Sequence, residues 1–369
     1  MKELLEICRA LKTLGGQPCA LATVIKVEGS AYRRPGARML ITLDGQSWGM
    51  ISGGCLEHDI LSHAQGVLET GQPCSVRYDS TSRDDIIFGT GLGCNGIIDI
   101  FIQPVTESFG KSLIEAVERC QETRQQGAIA TVVTVEEISN LSGQHAILGP
   151  EGWEGHEGVG CLLKDHFSDN ELIVTGKIED EEVSVFVQPL LPPLQLVVFG
   201  GWLDVLPLIR LAKETGFQVC VVDSRRRESS LEFFQEANFV LLCSPHEALS
   251  QIQFDDRTMA VLMNHNFECD QEALEALAQV SVPFVGMLGP SRRKQRLLEA
   301  VKNNGISLSN EFEKSLHGPA GLDIGANTPQ EIALSILAEI LAVFNGRNAK
   351  PIRDRVLPLH VTSPSLTYA

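Results

Sequence analysis

The spacing of hydrophobic residues changes near residue 190, which predicts a chain built from two different halves. In the first half, an amphipathic helical stripe runs from Leu4 to Leu14, and further helical patterns cover 56–68 and 112–123. Asp44-Gly45 is typical of a tight hairpin turn. The runs predicted as strands are 20–27, 39–43, 48–51, 75–78, 97–102, 128–135, 146–148, 172–175 and 183–187. We therefore expect an N-terminal mixed α/β domain over residues 1–188.

Prolines at positions 189, 192 and 193 mark the predicted domain boundary. Beyond them, continuous apolar runs alternate with helical patterns, as is typical of a doubly wound parallel sheet. A final helix is predicted from about Pro329 to Phe344, because Thr328 and Glu331 fit a capping box. The predicted strands are 194–199, 218–222, 239–243, 260–263 and 284–287. The second half is thus predicted to be a Rossmann-like domain over 194–346, followed by a tail over 347–369.

The first strand of the second half leads into an incomplete dinucleotide-binding motif. Such a motif needs a GxGxxG turn between strand and helix, and an acidic residue about 20 positions later. Gly200 and Gly201 follow the strand and Asp223 is the acid, but Trp202 replaces the second motif glycine. That glycine lets the backbone approach the pyrophosphate, and an indole would fill the space. The turn is expected either to be a scaffold without nucleotide, or to hold one in an altered pose with Asp223 on a ribose hydroxyl.

Two glycine–cysteine loops in the first half are candidates for ligand binding. Loop 52–55 lies between a strand and a helix, so its backbone N–H groups are expected to be free for an anion. Cys55 would lie near the helix N-terminus, which favours a reactive thiolate. Loop 91–96 is a second such sequence and contains Cys94. The simpler interpretation of either cysteine is a small buried side chain packed under a helix start.

Three arginines and a histidine add candidate ligand contacts. Arg33, Arg34 and Arg38 lie among loop glycines and could hold an anion, although such clusters are more often solvated. His265 ends an apolar strand at the edge where doubly wound sheets bind ligands, and there too a solvated side chain is the alternative. Cys55 and His58 supply only two zinc ligands, so a structural zinc site is not expected.

Composition narrows the classes of partner. A net charge of −17 disfavours binding to nucleic acid or to an anionic membrane. No apolar run approaches the roughly 20 residues that span a bilayer. The N-terminus does not resemble a signal peptide, and the ten cysteines include no CxxC pair. We therefore expect a cytoplasmic protein with reduced thiols.

Taken together, these motifs resemble those of the xanthine dehydrogenase accessory family (XdhC/CoxI), the maturation factors of molybdenum hydroxylases. The resemblance covers both halves, but residues from about 105 to 188 contribute little to it. One departure is the turn at Gly200-Gly201-Trp202-Leu203, where family members usually carry GAGH. The matching segments are 29–30 with 35–40, 52–57, 91–96, 263–266 with Asp270, 286–289 with 291–293, 321–326 and 328–333.

The resemblance implies a protein that binds molybdenum cofactor (molybdopterin), protects it and hands it to an apo molybdenum hydroxylase. It also implies a homodimer, with a cysteine desulfurase as a candidate second partner. The cofactor carries a phosphate and a dithiolene-bound metal, so arginines are expected on the phosphate and Cys55 or Cys94 on the metal. The implied cofactor-binding residues are Arg33, Arg34, Arg38, Ser52, Gly53, Gly54, Cys55, Glu57, Gly91, Gly93, Cys94, Gly200, Gly201, Asp223 and His265.

Two other functions remain open at this stage. An NAD(P)-dependent oxidoreductase could use the Rossmann-like half with His265 as the acid–base group, although Trp202 makes NAD(P) doubtful. A docking protein could use its acidic surface alone. The cysteines lack the spacing of iron–sulfur ligands, so the catalytic machinery of a xanthine dehydrogenase is not expected in this chain.

Overall fold

The computed structural model of the chain describes residues 1–80, 96–133, 140–166 and 172–354. The chain divides into two compact units, Met1–Pro192 and Pro193–Ala369. No helix among the described residues is long and apolar enough to cross a bilayer.

The first unit contains two antiparallel five-stranded sheets with the strand orders β3-β2-β1-β5-β4 and β8-β7-β6-β10-β9. Its strands are β1 (Cys19–Gly29), β2 (Arg38–Thr42), β3 (Ser47–Gly49), β4 (Cys74–Asp79), β5 (Gly96–Pro104), β6 (Gly127–Val133), β7 (His145–Gly149), β8 (Gly152–Gly155), β9 (Ile173–Ile178) and β10 (Glu181–Leu190). Its helices are α1 (Lys2–Leu14), α2 (Glu57–Thr70), α3 (Glu107–Thr123) and α4 (Glu157–His166).

Hydrophobic side chains join the layers of this unit. The apolar stripe of α1 packs with residues of α3 and of both sheets in one buried cluster. Another cluster joins the two sheets directly through Ile25, Phe101, Val133 and Phe186. Burial of such side chains is the main favourable term in folding, so the two sheets belong to one core.

The end of β1 fixes where the loop with Arg33 and Arg34 begins. Gly29 pairs with Gly96, the first residue of β5. A Cβ on Gly96 would overlap the backbone oxygen of Ser30, so only glycine allows the strands to approach this closely. The loop then returns to β1, because Gly36 N donates to Val24 O at 2.8 Å.

The second unit confirms the predicted Rossmann-like architecture. Its six strands form one parallel sheet in the order β13-β12-β11-β14-β15-β16. The strands are β11 (Gln195–Phe199), β12 (Gln218–Val222), β13 (Phe239–Leu241), β14 (Thr258–Leu262), β15 (Phe284–Met287) and β16 (Leu316–His317). The helices are α5 (Leu206–Glu214), α6 (Ser229–Phe233), α7 (Pro245–Leu249), α8 (Phe267–Leu277), α9 (Ser291–Asn303), α10 (Asn310–Ser315) and α11 (Pro329–Phe344), and a 3₁₀ turn at Leu203–Val205 precedes α5.

Some elements differ from the sequence-based prediction. β8 and α4 were not predicted, because the glycines between residues 149 and 160 weaken both strand and helix patterns. The segment between β11 and β12, where the alternating pattern predicts a helix, begins as a 3₁₀ turn before α5. In contrast, α11 has its predicted bounds, and Thr328 and Glu331 form the predicted capping box.

We expect Thr328→Ala to destabilise the second unit by about 1 kcal/mol, because the first turn of α11 loses its side-chain acceptor. Urea unfolding followed by Trp202 fluorescence in a Trp48→Phe, Trp153→Phe background checks this, since those three are the tryptophans of the chain. Thr215→Ala is the control, because its hydroxyl bonds carbonyl groups at a helix end and caps no N–H group. An unchanged midpoint for Thr328→Ala would contradict the prediction.

Candidate functional site

The glycine–cysteine loop before α2 is closed around the carboxylate of Glu57. That carboxylate accepts hydrogen bonds from the backbone N–H groups of Ser52 (2.8 Å), Gly53 (3.1 Å) and Gly54 (2.8 Å), and from the Ser52 hydroxyl (2.5 Å). Gly53 and Gly54 have φ values of 98° and 117°, which suit glycine and allow the N–H groups to converge. The loop is thus a nest for an anion, and Glu57 supplies that anion.

This arrangement corrects the expectation that these N–H groups are free for a ligand. Burial alone would raise the pKa of Glu57, but the hydrogen bonds from Ser52 and Gly53 outweigh it and lower the pKa to about 2. Glu57 is therefore ionised at neutral pH. The sequence offered this residue as a cofactor contact, whereas the structure turns its carboxylate toward its own loop.

Cys55 lies on the outside of this closed loop. Its side chain is exposed and comes two residues before the first residue of α2. The exposed ring of Tyr32 lies against Gly53, so the loop after β1 and the glycine–cysteine loop touch here. Gly91, Gly93 and Cys94 lie outside the described residues. Within the described ranges, no group of three or more His, Cys, Asp or Glu side chains could hold a metal ion.

The three candidate arginines differ in their environments. Arg34 is exposed. The guanidinium of Arg33 pairs with the carboxylate of Glu3, on α1. Arg38 is only 2% exposed, and its Nε and Nη1 have no hydrogen-bond partner among the described residues. The alternative of a solvated cluster therefore does not hold for Arg38, while the role of the three arginines as anion contacts stays a prediction.

In the second unit, an arginine side chain lies against the glycine turn of the incomplete dinucleotide motif. Arg227 donates through Nη2 to the carbonyl of Gly201 and through Nε to Asp223, the latter at 3.0 Å. A Cβ added to Gly201 would overlap both side chains. The expected obstacle was the indole of Trp202, but that side chain is 42% exposed and has the guanidinium of Arg227 at 4.4 Å from its ring centre.

The carboxylate of Asp223 is occupied by contacts within its own unit. It is 1% exposed and also accepts from Ser230 Oγ (2.6 Å) and from the backbone of Arg225 (3.1 Å). Burial works to raise the pKa of Asp223, but the hydrogen bonds from Ser230 and Arg227 hold it below the ordinary value. These contacts favour the alternative in which the turn is a scaffold, and a ribose contact of Asp223 stays a prediction.

His265 lies at the carboxyl edge of the sheet, as expected. Its Nε2 is 2.7 Å from Oδ2 of Asp204, which follows the neighbouring strand β11. His265 has a φ of 52°, a left-handed conformation that is uncommon for residues other than glycine. Asn264 bonds Asp270 on one side and Asn266 caps α8 on the other, so the surrounding contacts hold this conformation.

Sequence reasoning missed two residues that shape these sites, Glu3 and Asp204, because each contacts a residue far away in the chain and such contacts leave no local spacing signal. The sequence indicates Arg227 only as part of the basic cluster 225–227, which could serve a small anion. Arg227 gave a weak sign, since an arginine shortly after the second strand of a Rossmann domain lies close to its nucleotide edge.

Comparisons with known proteins cover both units. Residues 14–79 match the family model described as "XdhC and CoxI family", and residues 196–340 match "XdhC Rossmann domain". A crystal structure described as a xanthine dehydrogenase from Bacillus halodurans has a TM-score of 0.75 and 30% identity, covering 95% of this chain and 98% of that one.

Two named proteins are similar over most of their length. A Bacillus subtilis (strain 168) protein, named as a probable subunit of xanthine dehydrogenase, is 31% identical over 335 residues, 88% of this chain and 93% of that protein. The molybdenum cofactor insertion chaperone PaoD of Escherichia coli (strain K12) is 22% identical over 330 residues, 89% and 85% of the two chains.

We expect Glu57→Gln to lower the free energy of unfolding by about 1–2 kcal/mol at pH 7, because an amide cannot accept all the hydrogen bonds that converge here. The folded pKa lies below the ordinary value of 4.5, so the stabilisation is complete above that pH and is lost as the pH falls toward 2. Urea unfolding between pH 7 and pH 2.5 should show the difference from the wild type shrinking. Glu69→Gln, an exposed position on the same helix, is the control. A difference independent of pH would argue against the charged nest.

We expect no saturable binding of NAD or NADP to the unaltered protein, and at least tenfold tighter binding to the double variant Trp202→Gly, Arg227→Ala. The two changes remove the stacked side chains from beside Gly201 and open the space that a pyrophosphate needs. Isothermal titration calorimetry measures both proteins. Arg226→Ala is the control, because Arg226 pairs with Glu247 instead. Tight binding by the unaltered chain would overturn this interpretation.

Proposed function

Because the chain belongs to the XdhC and CoxI family, we propose that it is an accessory protein that binds molybdenum cofactor and inserts it into a xanthine dehydrogenase-like apo-enzyme. The similarity to a named insertion chaperone carries this proposal, because it extends over 89% of the chain and thus over both units. At 22% identity it does not carry individual residue roles. Those are argued from the geometry.

The donor groups of the first unit fit such a cargo. The cofactor presents a phosphate, a hydrogen-bonding pterin and a metal held by two sulfurs, so cations and a soft thiol suit it. Cys55 displays an exposed thiol in the glycine–cysteine loop, and the ring of Tyr32 lies against Gly53 of the same loop. Two arginines suit a phosphate group: Arg34 on the surface, and Arg38, whose Nε and Nη1 find no acceptor among the described residues.

The protein's own residues have distinct tasks in this proposal. Glu57 holds the glycine–cysteine loop in one shape, so that Cys55 is presented in a fixed position. Cys55 contacts the metal end of the cargo, and the loop after β1 contacts the phosphate end. Cys94 remains a second candidate for the metal end.

The proposed setting is the cytoplasm, with the chain acting as a homodimer. Its partners are an apo molybdenum hydroxylase and a cysteine desulfurase that supplies sulfur to the cargo. In the second unit, Gly200, Gly201, Asp223 and His265 remain proposed cargo contacts. Arg227 now bonds Gly201 and Asp223, and Asp204 bonds His265, so these contacts have to be exchanged for contacts with the cargo.

The alternative function is an NAD(P)-dependent oxidoreductase. The Asp204–His265 pair favours it, because a carboxylate-oriented imidazole suits proton transfer. Two observations count against it. Arg227 lies against the glycine turn, and the carboxylate of Asp223 is buried and already bonded to Arg227.

We expect Cys55→Ala to reduce retention of molybdenum cofactor at least tenfold after anaerobic gel filtration, because the metal end of the cargo loses its soft ligand. Bound cofactor is quantified by its molybdenum content and by the fluorescence of its oxidised pterin. Cys161→Ala is the matched control, since Cys161 is also exposed and lies in the same unit, on α4. NAD and NADP are titrated in parallel.

Equal retention by both variants would remove Cys55 from the site. An unaltered protein that binds a dinucleotide and no molybdenum cofactor would overturn the proposed function in favour of the oxidoreductase.

A further inference from the structure

The side chain of Arg38 is a buried cation that the described residues leave incompletely paired. It is 2% exposed, and Nε and Nη1 are both shielded from solvent with no acceptor among the described residues. Burial lowers the pKa of Arg38 to about 10, and the carboxylate of Glu3 acts against this lowering. At pH 7 the guanidinium is therefore still charged. A buried charge without hydrogen-bond acceptors is strongly unfavourable unless another group accepts its hydrogen bonds.

Backbone contacts hold Arg38 in place, so a shift of the main chain cannot bring its guanidinium to solvent. Its N–H donates to Oε1 of Glu3 at 2.7 Å, and its carbonyl accepts from Met50 N at 3.0 Å. Gly49 also lies so close that a Cβ there would overlap the Arg38 carbonyl. The residue is thus fixed at the start of β2, and an acceptor has to come to it.

Glu3 lies beside Arg38 but does not supply an acceptor for Nε or Nη1 of its side chain. One carboxylate oxygen takes the backbone N–H of Arg38, and the other pairs with the guanidinium of Arg33. The side chains of Glu3 and Arg33 are 23% and 32% exposed, so solvent reaches this edge of the site.

The charges at this place do not balance. Two guanidinium groups, Arg33 and Arg38, face one carboxylate, Glu3. The nearby thiol of Cys8 has a pKa raised by burial to about 11, so it is neutral and adds no negative charge. An oxyanion that replaced Glu3 would accept from Arg33 and from the backbone of Arg38, and its further oxygens could accept from the guanidinium of Arg38.

We propose that Arg38, Arg33 and the N–H group of Arg38 form an oxyanion site, and that Glu3 is an internal carboxylate which occupies this site until a phosphate-type ligand displaces it. Displacement frees the first turn of α1 from the loop after β1 and opens the buried guanidinium to the ligand. The inference rests on the proposed function in taking the phosphate of the cargo as the natural ligand. The site itself is tested without the cargo.

The test is thermal unfolding of the full chain in inorganic phosphate or sulfate, with sodium chloride keeping the ionic strength constant. The fluorescence of Trp48 reports on the site in a Trp153→Phe, Trp202→Phe background, because Trp48 on β3 pairs with Leu40 of β2. A ligand that binds only the folded state raises Tm in proportion to the logarithm of its concentration.

We expect phosphate and sulfate to raise Tm of the wild type, with chloride having no effect. In Glu3→Gln, the half-saturating concentration should fall at least tenfold, because the competing carboxylate is gone. In Arg38→Met, the phosphate-dependent shift should vanish, while Tm without phosphate stays equal or rises because a buried, incompletely paired charge has been removed. Glu6→Gln, a change at an exposed position on the same helix, should behave as the wild type.

A phosphate-dependent shift that persists in Arg38→Met would overturn the site, and unchanged or weaker phosphate binding in Glu3→Gln would overturn the role of Glu3. Molybdenum cofactor retention is measured separately on the same variants. Cofactor binding without phosphate binding at Arg38 would reject this inference alone, whereas phosphate binding without cofactor binding would reject the proposed function alone.

Discussion

Backbone N–H groups and charged side chains need hydrogen-bond partners, and this requirement shapes the loop after β1, the glycine–cysteine loop and the loop after β12. Where the chain itself provides the partner, the loop is closed: the carboxylate of Glu57 takes the N–H groups of residues 52–54, and Asp223 takes Arg227 and Ser230. Where the described part of the chain provides none, as at two nitrogens of the Arg38 side chain, a polar group remains incomplete. Polar groups whose hydrogen bonds are satisfied within the chain act as scaffold. Polar groups that lack a partner among the described residues are the candidate ligand contacts.

Much of the architecture could be predicted from the sequence. The doubly wound sheet followed from continuous apolar runs separated by helical patterns, and the capping box at Thr328 and Glu331 set the start of α11 within one residue. These features depend on local periodicity, which the sequence displays directly. β8 and α4 were missed, because their glycine-rich sequence has no clear period and their structure depends on packing with β7 and β9.

The candidate site was less predictable, for a physical reason. Residue types indicated correctly that loop 52–55 is an anion nest, but the sequence could not tell whether the anion is a ligand or Glu57. In the same way, Trp202 drew attention to the nucleotide edge, whereas the side chain against Gly201 is that of Arg227, 26 positions along the chain. Side-chain partners across such distances are set by tertiary packing, which local sequence patterns do not encode.

The sheet of the second unit has a further property that follows from its edges. Its inner strands β11, β12, β14 and β15 are buried along their whole length, so they would promote aggregation with other chains if exposed. The outermost strands, β13 and β16, are only three and two residues long. A strand this short offers few unpaired backbone groups as a template for another chain. The unit can therefore carry a fully buried, mostly apolar sheet centre and still resist growth into edge-to-edge aggregates.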